Sequence, residues 1–373
     1  MPLPDIQVVP ARTRADMKAF VRFPWKVYQG DRYWVPPLIG DVHKLLDRDK
    51  HPFHQHAEVE YFLARRSGEV AGRVAAFINH AHNEFHQEKT GFFGFFETLP
   101  DPRIPPYLLE AAGSWLKARG MERVRGPANF SGNEEWGLLI DGFDSSPMVM
   151  MTYNPPAYAR YLEDAGFSKA KDLVAYRHVG QEIPPRLSAA GARFAHRGRF
   201  HIRPLDKKRF VEDVNRVRRV YNAAWEKNWG FVPMTEAEID HMAKELKPVV
   251  DPNLVLFAEA GDETIGFALA LPDLNQALRR ANGRLFPLGL FRMLIEARRI
   301  TRIRVLTLGV LPGYRRQGIE VLLYLALFRN GYARGCQEAE FSWVLEDNLA
   351  MRTALENMDA SVYKTYRLYD RPL

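Results

Sequence analysis

Cysteine is almost absent: Cys336 is the one thiol in 373 residues. A lone thiol cannot close an internal disulfide, and it excludes a zinc site built on paired thiolates. Long apolar runs are missing too. No stretch reaches the roughly 18 uncharged apolar residues that a membrane-spanning helix needs. Met1 to Ala19 carries Asp5 and Asp16 and no long apolar core, so it does not read as a signal peptide. The expectation is a soluble, cytoplasmic protein. What is present is the composition of a globular chain: 46% hydrophobic and 26% charged residues. That excludes a largely disordered tail. The length exceeds the roughly 250–300 residues at which single cores stop growing, so two domains are expected.

The formal charge of +7 is unevenly placed. Arg186 to Lys227 has a net charge of +8 and Asp273 to Arg304 one of +6, leaving the remainder at −7. Basic segments attract phosphates of any kind: nucleic acid, anionic lipid or a phosphorylated cofactor. In the first segment, Phe210, Val214, Val217, Val220 and Tyr221 recur at helical spacing, which reads as a solvated helix face. The second mixes Leu285, Phe286, Leu288, Leu290, Phe291, Met293, Leu294 and Ile295 with flanking arginines, Arg298 and Arg299 among them. Residues 284–299 therefore suit either peripheral contact with the inner membrane face or a surface helix packed on its own domain. No aromatic-basic reader motif accompanies the charge, so no nucleic-acid partner is expected.

Residues 181–199 hold Pro184-Pro185 and the small run Ser188 to Ala192, and read as a connection between domains at 1–180 and 200–373. Each half repeats one element order, strand–helix–strand–strand–strand–helix–strand–helix–strand. In the second half strands are expected at Leu254 to Ala260, Thr264 to Leu271, Arg302 to Val310 and Glu338 to Val344. Helices are expected at Asp206 to Trp225, Thr235 to Leu246 and Arg315 to Arg334.

The most informative stretch is Leu306-Thr-Leu-Gly-Val-Leu-Pro-Gly-Tyr-Arg-Arg-Gln-Gly-Ile319. A strand ends at Val310, Pro312-Gly313 turns the chain, and a helix opens. The first helical N–H groups lack partners, and the helix dipole adds positive potential. Gly318 lets an anion approach the backbone, and Arg315 and Arg316 add charge. The Lys-Ser/Thr of a P-loop is absent, which argues against ATP hydrolysis.

This stretch resembles the acyl-CoA motif of the GNAT acyltransferase superfamily through Val310, Pro312, Arg315, Gly318 and the strand before them. The resemblance implies an α/β (α+β) fold of two GNAT-like domains, each a mixed central sheet flanked by helices. It also implies that acyl-CoA is held by Leu308, Gly309, Val310, Arg315, Arg316, Gln317, Gly318, Ile319 and Asn348, with no metal. Glu320 departs from the pattern, where a small residue is usual. The family's helical tyrosine acid is also missing: its place falls near Leu355, and the nearest tyrosines, Tyr363 and Tyr366, lie in the last strand. Thr98 to Pro106 in the first half carries no phosphate-cradling glycine, so that half is expected to shape the acceptor side. The detail of Asn79 to His86, Gly91 to Glu97, Asn154 to Pro156, Asn228 to Pro233 and Trp343 to Asn348 looks like a bacterial tandem-GNAT family. Ceramide-forming enzymes belong to that family or lie close to it. This implies an amine acceptor, of the long-chain amino-base type, entering between the domains.

The acceptor half offers candidate bases. His80, His82, Glu84 and His86 crowd one short stretch, and His82 and His86 sit four apart, as zinc ligands on a helix do. A third ligand is lacking, so a hydrogen-bonded loop is the commoner outcome. Gly126 to Gly137 is a strand-end loop rich in donors and acceptors. Glu134, Glu135, His82 and His86 all remain candidates for the catalytic base. The run Phe92 to Phe96 reads as a buried strand, or as part of a greasy acceptor pocket.

Overall fold

A computed structural model describes residues 6–195 and 200–373. The readings that touch residues 1–5, and the end of the expected connection at 196–199, lie outside the described residues. The chain forms two compact units. The first runs to Asp172 and takes in Leu278–Met293 and Lys364–Leu373. The second holds Leu173–Ala277 and Leu294–Tyr363.

In the first unit the strands are β1 (Ile6–Pro10), β2 (Ala57–Arg66), β3 (Glu69–Asn79), β4 (Thr90–Thr98), β5 (Arg123–Gly126), β6 (Ala128–Asn129), β7 (Glu135–Trp136) and β8 (Leu138–Asp141). The helices are α1 (Arg14–Arg22), α2 (Pro24–Val27), α3 (Ile39–Leu45), α4 (His80–His86), α5 (Ile104–Lys117) and α6 (Ala157–Asp164). The β2–β3 hairpin turns at Ser67 and Gly68, with φ of 51° and 83°, the paired left-handed geometry that matches strand twist. The sheet order is β1-β2-β3-β4-β5, completed by the last strand of the chain. Alternation splits β2 between two cores. Phe62 and Ala64 join Leu108, Leu109 and Leu116 of α5, while Tyr61 and Leu63 join Phe20, Phe53 and Phe77. Phe92 to Phe96 are all buried in β4, shared between the same two cores.

The second unit contains β9 (Ser168–Val179, from Leu173 on), β10 (His201–Pro204), β11 (Val255–Ala260), β12 (Glu263–Pro272), β13 (Arg302–Val310) and β14 (Glu338–Leu345). Its sheet order is β10-β11-β12-β13-β14-β9. The helices are α7 (Pro185–Ala195), α8 (Phe210–Trp225), α9 (Glu236–Leu246), α10 (Asn275–Ala281), α11 (Gly289–Ala297), α12 (Ile319–Ala333) and α13 (Leu349–Glu356). The two helices of the basic insert, α10 and α11, each continue from one unit into the other. Thr235 and Glu238 make the reciprocal capping box that starts α9. Strand β15 (Ser361–Pro372) belongs to the first unit from Lys364 on, where it pairs with β5 and β8. Each sheet thus has one sixth strand drawn from the other half of the sequence.

Three local readings change. The stretch expected to connect the domains holds α7, whose Leu187 and Gly191 are buried, and Gly191 lets Leu325 of α12 approach closely. The helix expected from Arg315 starts at Ile319, because Arg316 and Gly318 adopt left-handed φ of 63° and 86°. His80 to His86 form a helix, capped by the Asn79 side chain on the His82 N–H.

Part of the charge of the first basic segment is paired within the fold, around Asp213 of α8. Asp213 is fully buried and accepts from Arg203 at 2.7 and 3.0 Å, from Arg216 at 3.0 Å and from the Asp206 N–H at 3.0 Å.

Candidate functional site

In the second unit, β13 and β14 run parallel from Arg302↔Glu338 to Val305↔Phe341, and there the shared rungs end. Strand β13 continues on β12, while β14 stays paired with β9, where Val344 meets Val174. Leu306 is bulged, since Val305 and Thr307 oppose the adjacent residues Ala270 and Leu269. Past Val305, alternate backbone N–H groups of β13 face a notch with no strand rung among the described residues. Gly309 is required on the opposite side: a Cβ there would lie 2.2 Å from the Trp225 ring of α8.

Each of the two strands that flank the notch carries one unpaired polar group beyond the last rung. Thr307 and Trp343 each stand two residues past the last rung, one on either arm. The Thr307 hydroxyl and the Trp343 indole N–H are buried with no hydrogen-bond partner among the described residues. Such groups cost free energy unless something pairs with them.

At the top of β13 the chain turns through Pro312–Tyr314 into α12. The Arg315 guanidinium donates to the Val310 carbonyl at 3.3 Å and to the Ala224 carbonyl at 2.7 Å, which ties the turn to α8. Gln317 donates to the Gly313 carbonyl at 3.3 Å. Arg316 is exposed. No side chain caps the start of α12, so its first N–H groups remain available beside Glu320. Leu308, Gly309, Val310, Arg315, Arg316, Gln317, Gly318 and Ile319 therefore form one continuous strand–turn–helix. Asn348 caps α13 instead, accepting from the Met351 N–H at 3.2 Å. Leu355 is fully buried in the core, and the Tyr363 hydroxyl donates to Glu340.

Gly318 is doubly constrained. Its φ is left-handed, and a Cβ would lie 2.3 Å from the Phe194 ring of α7. Gly318→Ala is expected to destabilise the protein by about 1–3 kcal/mol, checked by urea unfolding. An unchanged midpoint would contradict this geometry.

The first unit has a comparable notch, but its own chain fills it. Strands β4 and β5 share rungs from Thr90↔Arg123 to Phe92↔Arg125. Beyond them the β6–β7 hairpin lies against β4. The Phe95 N–H donates to the Asn129 side chain at 2.7 Å, and a Cβ on Gly94 would fall 1.7 Å from the Ala128 carbonyl oxygen. Glu135 orients Asn129 by accepting from its amide at 2.8 Å. Glu134 accepts from the Phe130 N–H at 3.3 Å and lies 3.4 Å from His51.

His82 and His86 share one face of α4, their rings 4.4 Å apart, and His82 packs edge-on to Phe92. Burial first, then the charges of His86 and Arg125, push the His82 pKa down to about 4. The His82 ring lies 3.6 Å from Glu88. The histidine pair and the two glutamates thus belong to different elements. Among the described residues, no three His, Cys, Asp or Glu side chains are placed to hold a metal ion.

Two buried networks escaped sequence reasoning. Glu97 of β4 accepts from the Tyr28 hydroxyl at 3.0 Å and the Tyr158 hydroxyl at 2.9 Å. Glu340 of β14 joins Ser342, Arg304 and Tyr363. Charged residues inside apolar strands were the available signal.

No family model matches the chain. It is 35% identical over 376 residues to the bacterial ceramide synthase of Caulobacter vibrioides, covering 99% of this chain and 98% of that one. It is 34% identical over 366 residues to Protein YghO of Escherichia coli (strain K12), covering 96% and 93%. Among solved structures, a tandem GNAT protein from the clavulanic acid biosynthesis pathway superposes with a TM-score of 0.58 at 10% identity, covering 99% and 98%. Near-complete alignment to both relatives, on the fold shared with the tandem GNAT structure, leads to one conclusion: the chain belongs to the family of bacterial ceramide synthase and YghO.

Proposed function

We propose that this protein transfers an acyl group from acyl-CoA to the amine of a long-chain amino base. The observation that carries the reading is the notch of the second unit: an open strand edge, two orphaned buried polar groups, and an uncapped helix start at its rim. The helix start and Arg316 suit the coenzyme's phosphates, and the β13 edge suits its amide arm and thioester carbonyl. In the first unit Asn129 and the β6–β7 hairpin occupy the corresponding edge, which supports assigning the coenzyme to the second. The ceramide synthase name of one relative supports a lipid amine.

The chemistry needs few side chains. The neutral amine attacks the thioester carbonyl, N–H donors on β13 hold the oxyanion, and the C–S bond breaks as the amide forms. The amine's proton passes to a base, and the thiolate leaves as coenzyme A. A thiolate is a good leaving group, so a dedicated acid is dispensable at the Leu355 position. Glu134, Glu135, His82 and His86 stand as the proposed bases, acting directly or through water. His82 is held neutral by burial and is therefore a weak base.

Calorimetry with coenzyme A tests the cofactor assignment. Arg316→Glu is expected to weaken binding about tenfold, since it reverses an exposed charge at the helix start. No binding by the unaltered protein, or equal binding by the variant, would count against the reading. Release of free thiol only when a long-chain amino base is added tests the acceptor.

A further inference from the structure

We infer that residues 279–299 form a docking surface for an anionic lipid bilayer, with α11 lying in the plane of the interface. This stands independently of the acceptor's identity.

The segment turns its apolar side outward. Phe286 is 77% exposed and Phe291 66%, and Leu288, Leu294 and Ile295 are exposed beside them. In helical projection Leu288, Phe291, Leu294 and Ile295 fall within about one third of the circumference, a continuous apolar stripe. Leu290, Met293 and Ala297 take the inner side and are partly buried. Scattered exposed apolar residues are ordinary, but five large ones within ten positions are not.

The charge around the stripe selects its occupant. Arg279, Arg280, Arg284, Arg292, Arg298 and Arg299 are all exposed, against one acid, Glu296. Arg292 and Arg299 border the apolar stripe, where long basic side chains bury their stems and raise their heads to phosphates. A twofold contact with a second copy would set this excess of arginines against itself. RNA would leave the five apolar side chains in water. An anionic bilayer satisfies both, taking the apolar stripe among its acyl chains and pairing the arginines with its headgroups. No helix among the described residues is long and apolar enough to cross a membrane, so the segment lies on the surface.

The segment is anchored so that it can act as a foot. The Trp25 indole donates to the Asn282 side chain at 3.1 Å, the Ile39 N–H donates to the Gly283 carbonyl at 3.0 Å, and Gly283 packs on the Trp25 ring. Only four residues separate the end of α11 from the start of β13. The bilayer contact is thus covalently adjacent to the strand that bears the notch.

Sedimentation of the full chain with vesicles tests the inference. Vesicles of phosphatidylcholine plus phosphatidylglycerol are expected to bind at least about tenfold more tightly than phosphatidylcholine alone, with the preference shrinking in high salt. The double change Phe291→Ser, Leu294→Ser should lower binding to both kinds by at least about tenfold. Arg298→Glu, Arg299→Glu should abolish the anionic preference. All four side chains are exposed, so thermal melting should match the unaltered protein. Four results would overturn the inference. One is equal binding to neutral and anionic vesicles. The second is undiminished binding by the apolar variant. The third is a dimer in light scattering that the apolar variant dissolves, which would assign the stripe to a second copy. Equally tight, salt-sensitive binding of RNA would assign the arginines elsewhere and overturn it too.

Discussion

Glu340→Ala is expected to destabilise the protein by about 3–5 kcal/mol, read as a lowered urea midpoint at constant slope. Glu340 is fully buried, and Arg304 is nearly so. They sit on the same rung, one step below the point where β13 and β14 part. The carboxylate accepts from the Ser342 hydroxyl at 2.6 Å and from the Tyr363 hydroxyl, and it lies 3.5 Å from the Arg304 guanidinium. Arg304 adds bonds to the Ser342 hydroxyl at 2.8 Å and the Ser342 carbonyl at 3.2 Å, under the Trp343 ring. Removing the acid leaves a guanidinium in a dry interior with neutral partners alone. The loss therefore exceeds what the pair itself contributes. Glu340→Gln keeps an acceptor for the two hydroxyls and should cost less, about 1–3 kcal/mol. Equal stability of the alanine variant and the unaltered protein would show that water reaches the cluster.

The second large effect is a pH dependence centred on Glu97. Burial pushes its carboxyl up to about 7 from an ordinary 4.5, while Arg73 and the phenols of Tyr158 and Tyr28 pull less strongly the other way. The unfolded chain ionises this group near 4.5, and the folded chain does so near 7. Between those values the folded state holds a proton that the unfolded state has lost. Stability from this group is therefore greatest below 4.5 and falls as pH rises to about 7, by roughly 3 kcal/mol in all. Glu97→Gln removes a group that titrates in this window. Both phenols keep carbonyl acceptors without the carboxylate: Tyr158 has Thr98 at 2.9 Å and Tyr28 has Tyr153 at 3.1 Å. Urea unfolding at about pH 5 and about pH 8 should show the unaltered protein losing stability relative to the glutamine variant. Parallel pH profiles would refute the assignment.

Much of the fold is legible because the strands announce themselves. The buried strands β3, β4 and β12 are near-continuous apolar runs, and Ser67-Gly68 and Gly261-Asp262 stand at their turns. The motif from Val310 to Gly318 located the strand–turn–helix, because its turn requires left-handed residues and its helix start requires free N–H groups. The early helical start at Arg315 failed for the same reason: left-handed Arg316 and Gly318 belong to the turn. Segment α7 was hidden because Pro184-Pro185 and a run of small residues look like a linker, while Gly191 and Leu187 are in fact packing positions. His82 and Glu135 were visible as polar residues in suggestive places. The pairing of His82 with His86 was legible in their spacing, but the packing of His82 on Phe92 of β4 and of Glu135 on Asn129 comes from segments that fold back.

The sequence by itself determined the class of the protein: two α/β units, one phosphate-compatible turn, no disulfide framework and a basic, greasy insert. These follow from local properties, namely apolar period, turn chemistry and charge, which any chain carries before it folds. Only the tertiary structure decided which strand completes each sheet. Both β9 and β15 have apolar residues enough to be a sixth strand, and edge pairing is non-local. It also decided that the first notch is plugged and the second open. That difference rests on Asn129 meeting the Phe95 N–H and on Gly94 admitting a backbone, contacts between residues some 34 positions apart that no local pattern encodes.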